Sequence, residues 1–346
     1  MTPSDQQAAP LINSSGKVRT GLFKAPISDI NYRDFRLRTP MGKPAGAFKR
    51  WFGFNQFQFC SVISDDIIVG VAIAHPRLAT VSFAYFYEPK TARLFRYNLK
   101  TLPIGNSVVL SQQPYAGEWR FKQGRYDCRM WYDNNTGERH VALRTRDGAE
   151  ADIRFSEQDF EPMRICTPAD LNGFAFTQKM GGIAAKGSVK HPQLGDFDLE
   201  QARACATMDW TAGYLRRRCF WNWTCLSGML PDGRYIGVNG ACGVNETSFT
   251  ENCFWVDGKL HKVDSLKFDY DPDDLFKPWQ ISSFDGKLDL LFTPQGTMDE
   301  RNNFLIMASA FDQMFGQYQG TLRTDAGEKI NVDGLYGFTE EHYAKW

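Results

Sequence analysis

The chain has 346 residues, 40 Lys and Arg against 40 Asp and Glu, and 42% hydrophobic and 14% aromatic residues. That composition excludes disordered and fibrous classes and is enough for about two packed cores. A zero net charge without a basic run also removes the footprint expected of non-specific nucleic-acid binding or attachment to anionic membranes.

From the N-terminus, Met1 to Gly21 is polar and lacks the apolar core of a signal peptide, so residues 1–20 are expected to be a flexible segment of a cytoplasmic protein. Next come short aromatic runs such as Phe52–Phe59 and Ala84–Tyr87. The most apolar stretch, Ile67 to Ala74, is too short to span a membrane, and no integral membrane segment is expected. Strand-like runs bounded by Gly, Pro, Asn and Asp continue along the chain. Hairpin turns are marked by Asn135-Thr136-Gly137, Asp232-Gly233, Asp257-Gly258 and Asp285-Gly286. Only Leu199–Thr207 and Glu340–Lys345 read as short helical turns. The expected class is all-β.

Blocks of sequence recur in order. Trp51–Cys60, Asp65–Val71 and Phe86–Lys90 come back as Phe220–Cys225, Asp232–Val238 and Phe254–Lys259, so that Gly70 corresponds to Gly237. Each half also ends alike, at Asp209-Trp210 and at Lys345-Trp346. Two related antiparallel β-barrel domains are implied, at residues 21–210 and 211–346. Barrels of that size close their sheet edges and can hold one ligand.

Eight scattered cysteines without a C-x-x-C pair, and five isolated histidines, give no zinc pattern, and no metal or cofactor is expected. Asp269, Asp271, Asp273 and Asp274 fall short of a calcium loop, because Asp274 and Gln280 stand where Gly and Glu are needed. No P-loop, dinucleotide or G-x-S-x-G motif is present, and Gly181-Gly182 lacks the spacing for phosphate.

The densest constellation is Met208–Cys225, at the joint. If the chain is a strand from Arg216 onward, alternation puts Arg217, Cys219, Trp221, Trp223 and Cys225 on one face and Arg216, Arg218, Phe220, Asn222 and Thr224 on the other. Indoles supply an apolar wall and guanidinium forks suit an acidic head, so a hydrophobic small molecule fits both. The same indoles also fit a plain inter-sheet core, and Asp209 an arginine partner or a turn. Glu340-Glu341-His342 could supply an acid/base pair, and Glu341 or His342 could stand in as the acid if the C-terminus folds against the joint. Asn245-Glu246 and Glu251-Asn252 place further polar groups in a loop.

Asp209-Trp210-Thr211-Ala212-Gly213, Arg217-Arg218, Trp221-Asn222-Trp223, Asn252–Lys259, Gln313-Met314-Phe315-Gly316 and the ending Gly337–Trp346 together resemble the bacterial domain-of-unknown-function family DUF2804, over nearly the whole chain. More distantly the chain is similar to the tandem lipocalin-like proteins, among them carotenoid hydratases, hydroxyneurosporene-synthase-like proteins, Diels–Alder cyclases, tocopherol cyclase and fungal survival-factor lipid carriers. That likeness implies two lipocalin-like barrels with a lipid or isoprenoid in or between them. In the hydratase-like members the joint reads Asp-His-x-x-Gly and Trp-Asp-Trp. Here Trp210 replaces the His and Asn222 the middle Asp, which removes the proton donors that alkene hydration would use.

The sequence therefore points first to a binder of a hydrophobic small molecule, with Trp221, Trp223 and Trp255 as wall, Arg216, Arg217 and Asp209 as anchors, and Trp210, Asn222, Glu341 and His342 beside them. The second reading is an enzyme on the same scaffold, an acid-assisted cyclase, isomerase or hydratase with Asp209 as the acid. The third is a solid, purely structural protein.

Overall fold

The computed structural model describes residues 8–102, 107–244, 249–304 and 307–345. Met1 to Gln7, the Asn245-Glu246 pair and Trp346 lie outside them.

The regular secondary structure of the described residues is almost entirely strand, as expected. In chain order the first group is β1 (Gly21–Leu22), β2 (Asn55–Ile63), β3 (Ile68–His75), β4 (Thr80–Glu88) and β5 (Arg93–Thr101). Then follow β6 (Val108–Leu110), β7 (Glu118–Gln123), β8 (Tyr126–Asp133), β9 (Glu138–Arg144) and β10 (Glu150–Ser156). The chain continues through β11 (Met163–Ala169), β12 (Gly173–Ala184), β13 (Lys186–His191), β14 (Gly195–Asp198) and β15 (Cys205–Tyr214). The second half holds β16 (Arg218–Met229), β17 (Tyr235–Cys242), β18 (Cys253–Val256), β19 (Lys259–Lys262) and β20 (Leu266–Asp269). It ends with β21 (Trp279–Ser283), β22 (Leu288–Phe304), β23 (Met307–Arg323), β24 (Lys329–Asn331) and β25 (Tyr336–Lys345).

Three sheets result, in the orders β1-β11-β12-β15-β2-β3-β4-β5, β14-β13-β10-β9-β8-β7-β6 and β19-β18-β17-β16-β25-β23-β22-β21-β20, with β24 on β23. The four glycine turns fall where the sequence places them, with Gly137, Gly233, Gly258 and Gly286 all at positive φ.

The two short helical turns are not formed as read. Residues 340–345 belong to β25, which is paired on both sides, by β16 and by β23. Two ladders override a helix-tolerant composition. Residues 205–207 likewise belong to β15. The described α-helix is instead α1 (Ala47–Phe52).

Of the block pairs compared in the sequence, the first two fall on the hairpins β2–β3 and β16–β17, and the third on the end of β4 and on β18–β19. In each half a late strand returns to pair antiparallel with the first strand of its hairpin, β15 with β2 and β25 with β16. The two halves otherwise differ in sheet division, and the chain passes from the first sheet to the third between Tyr214 and Arg218.

One core lies between the first and second sheets, around Val71, Phe86, Trp119, Phe121, Val141 and Trp210. A second fills the curl of the third sheet, around Val238, Phe254, Trp279, Phe292 and Tyr318. A third joins the halves, with Phe59, Ile68, Tyr85 and Tyr87 of the first sheet against Trp223, Phe315 and Phe338 of the third. Strands β2 and β3 are thus covered on both faces, which is why Ile67 to Ala74 is continuously apolar rather than alternating. The backbones also meet directly. A Cβ on Gly237 would lie 2.1 Å from the Gly181 carbonyl carbon, and Gly182, at φ +73°, donates its N–H to Ser227 Oγ at 2.8 Å. The Gly181-Gly182 pair is therefore a packing device.

Inside the first half, Glu157 lies between two guanidinium groups. Arg139 Nε is 2.5 Å and Arg164 Nη2 4.0 Å from its carboxylate, with all three side chains nearly inaccessible. Tyr115 Oη donates to Glu157 and accepts from Arg164 and Gln178. Removing one partner of such a group leaves unpaired charge in the interior. Glu157→Gln is expected to destabilise by about 3–5 kcal/mol in urea unfolding. Glu150→Gln, which breaks the exposed Arg144 pair, is expected to stay within about 1 kcal/mol of the parent.

Candidate functional site

Along β15, alternation sends Met208, Trp210 and Ala212 into the core of the first half and Asp209 and Thr211 toward the third sheet. The ladders then fix what stands beside Asp209. Lys179 is directly opposite on β12 and Phe59 opposite on β2, and the row continues through Ala72 and Phe83. One half of the row is charged and the other apolar.

The facing wall is read the same way. On the third sheet, Ala241, Trp223, Glu340, Gln313 and Met298 form one cross-strand row, and Trp221, His342 and Phe311 the next. Between the two walls is a cavity of about 1070 Å³. Phe57, Phe59, Val81, Phe83, Trp221 and Trp223 give it its apolar surface, Lys179, Asp209, Glu251, Glu340 and His342 its polar one, and Arg96, Arg216 and Arg301 are among its other lining residues.

Lys179 Nζ is 2.6 Å from Asp209 Oδ2, 3.2 Å from Glu251 Oε1 and 5.1 Å from the centre of the Trp223 ring. Thr211 Oγ1 and Thr177 Oγ1 donate to Asp209 Oδ1 at 2.9 and 3.3 Å. Burial disfavours the ammonium, but Asp209 and Glu251 outweigh it and hold Lys179 above its ordinary value. Trp223 Nε1 donates to Asn239 Oδ1 at 2.8 Å, and Asn239 Nδ2 donates to the Glu251 carbonyl at 3.0 Å, which ties the Glu251 segment to the wall.

Glu340 behaves differently. Burial pushes its carboxyl up to about 8, with the Asp209 charge acting in the same direction and Gln313 and Lys179 only partly opposing. Gln313 Nε2 donates to Glu340 Oε1 at 2.7 Å. His342 is pushed down to about 3 by burial and by the Arg301 charge, so its imidazole is neutral. Ser309 Oγ lies 2.9 Å from its Nε2, and Trp221 and Phe311 pack on its ring. The floor thus sets a protonated acid, a neutral imidazole and a lysine-bound carboxylate against one apolar space.

Of the residues expected from the sequence, Asp209, Arg216, Trp221, Trp223 and His342 line this cavity. Five lie elsewhere. Trp210 packs on Trp119 and Phe176 in the core of the first half. Trp255 stacks on Phe160 and donates to the Glu161 carbonyl. Arg217 is exposed at the crossing between sheets. Asn222 and Glu341 are on the other face of their strands, where both meet Tyr270 Oη. Lys179 is absent from the sequence reading, and Glu340 stands in it only as part of Glu340-Glu341-His342, with Glu341 and His342 preferred. A lone lysine inside the apolar run Phe174–Ala184 marks Lys179. Reading residues 336–345 as a strand would have put Glu340 on the face of His342, with Glu341 opposite.

Two curled β-halves that enclose an apolar cavity with a charged floor define an all-β scaffold suited to holding a small molecule. The chain belongs to the family described as Domain of unknown function (DUF2804), which matches residues 4–346. No curated protein matches it in sequence. Among solved structures it is similar to CghA, with 10% identity over 97% of this chain and 96% of that one and a TM-score of 0.55. The structure of CghA with Sch210972 matches at 9% identity over 84% and 88% with a TM-score of 0.53. Kievitone hydratase from Nectria haematococca matches at 10% identity over 84% and 89% with a TM-score of 0.48. The two likenesses to CghA show a shared fold. No described helix is long and apolar enough to cross a membrane.

The state of Glu340 sets a pH signature. Below its ordinary value of 4.5 the carboxyl is protonated whether the chain is folded or not. Between 4.5 and about 8 the unfolded chain releases the proton and the folded one keeps it, so this residue makes stability fall as pH rises. Glu340→Gln lacks that slope. Thermal unfolding should show the variant gaining on the parent across this window, and infrared spectra at neutral pH should show a protonated-carboxyl band that the variant loses.

Proposed function

We propose that the chain binds a hydrophobic small molecule, of lipid or isoprenoid class, between its halves and acts on it by acid–base chemistry, with Glu340 rather than Asp209 as the acid. The supporting observation is that Glu340, held protonated by burial, faces the same apolar cavity as the Lys179-bound Asp209. An acid with a value near neutral is suited to giving up a proton during turnover. Asp209 accepts from Lys179, Thr177 and Thr211, the surroundings of a carboxylate rather than of a donor.

In an isomerisation or cyclisation, Glu340 gives its proton to a double bond or polarised oxygen. The cation that forms loses a proton from a neighbouring carbon to Asp209, which returns it to Glu340. Once Glu340 has given up its proton, the floor carries Lys179 against Asp209, Glu251 and Glu340, two net negative charges, and the indole faces of Trp221 and Trp223 add attraction for the transient cation. The apolar walls keep water from it. In this reading the halves are products of a duplication, and the cavity lies where the two copies meet.

The test combines native mass spectrometry of the protein from its own host, organic extraction, and turnover of whatever co-purifies. An apolar molecule should leave with the wild type and with Glu340→Gln alike, while the variant loses about 10²–10⁴-fold in rate. Equal turnover by the variant sinks the acid assignment. Retention without any turnover by the parent leaves a carrier. Failure of the parent to bind even a fluorescent polyene carboxylic acid removes the cavity reading itself.

A further inference from the structure

The helix α1 (Ala47–Phe52) buries none of its residues. Phe48 and Trp51 stand 74% and 43% exposed, and Met41, at the tip of the preceding turn, 84%. Phe48, Trp51 and Phe52 share one side of the helix, the Phe48 ring lying 6.4 Å from Trp51 and 5.7 Å from Phe52. Around them the chain is basic. Between residues 32 and 52 there are Arg33, Arg36, Arg38, Lys43, Lys49 and Arg50 against the single acid Asp34, and Asp34 accepts a hydrogen bond from Asn31 Nδ2. The zero net charge of the whole chain is thus compatible with a local excess of basic residues around this helix.

The patch adjoins the cavity. The Trp51 ring is 5.9 Å from the Arg77 guanidinium, and the neighbours of Arg77, Pro76 and Leu78, line the cavity. Tyr214 Oη donates to the Arg50 carbonyl at 2.9 Å, next to lining residue Leu215. Asn172 Nδ2 donates to the carbonyls of Arg38 and Thr39, at the end of the strand that carries lining residue Ala169.

We propose that α1 and the turn at Met41 are a docking surface for an anionic lipid bilayer, which sets the neighbouring cavity wall against the membrane. Exposed Trp and Phe seat at the headgroup boundary, and the basic residues around them match an anionic surface. A second copy of this chain is less suited, since the patch would meet its own charge. Docking needs nothing from the polar floor, and Glu340→Gln should bind vesicles like the parent.

The experiment is vesicle co-sedimentation of the full chain, with phosphatidylcholine alone and with added phosphatidylglycerol. The parent should bind only the anionic vesicles and release as salt rises. Phe48→Ser with Trp51→Ser, and separately Lys43→Glu with Lys49→Glu, should each weaken binding about tenfold or more, with circular dichroism and polyene binding unchanged. Absence of binding by the parent, or binding by both variants equal to the parent, overturns the proposal. So does loss of self-association in the aromatic variant without any vesicle binding, which would make the patch a contact between copies.

Discussion

The structure depends on one sheet that is covered twice. Strands β2, β3, β12 and β15 turn one face to the core of their own half and the other to the third sheet, so both sets of alternating side chains must be accommodated away from water. Where both faces are apolar, as along β3, this is simple burial. Where the outer face carries Lys179 and Asp209 it is not, because an ammonium taken from water demands counter-charge in place. The 2.6 and 3.2 Å ion pairs to Asp209 and Glu251 supply it, one from the adjacent strand and one from the opposite half. The contact between the halves therefore has an electrostatic component as well as an apolar one, and the cavity lies beside it.

The same arrangement explains why two carboxyl groups on one cavity end up in different states. Asp209 has Lys179 and two hydroxyl donors on it. Glu340 has an amide, the flank of Trp223 and the field of Asp209, so its charge is the one that burial suppresses. Separated proton affinities in one apolar space are what acid–base work requires, and they arise here from register, since Trp223, Glu340 and Gln313 are cross-strand neighbours.

Much of this was legible in the sequence. Glycine turns located the hairpins, and the indole pair at Trp221 and Trp223 located the second wall, because strand alternation acts at a distance of two residues and needs no tertiary knowledge. What could not be read was which sheet face meets which. Trp210 and Trp255 look like Trp221 and Trp223 in composition yet point into the first half's core and toward Glu161. Glu340 was passed over for Glu341 because residues 340–345 carry no strand signal of their own and are held extended by two flanking ladders. Lys179 joins Glu251 only across the two halves, a pairing no local pattern encodes.

A chain with no net charge can still sort its charges, and here six basic residues gather in the segment around the helix that buries nothing. A helix of six residues is too short to persist on its own in water. It is pinned by Tyr214 Oη on the Arg50 carbonyl and by Arg77 against Trp51, contacts that come from β15 and from the end of β3. The residues that hold the exposed aromatics out thus stand next to lining residues in the chain, Arg77 between Pro76 and Leu78 and Tyr214 before Leu215, and neither of them belongs to the charged floor.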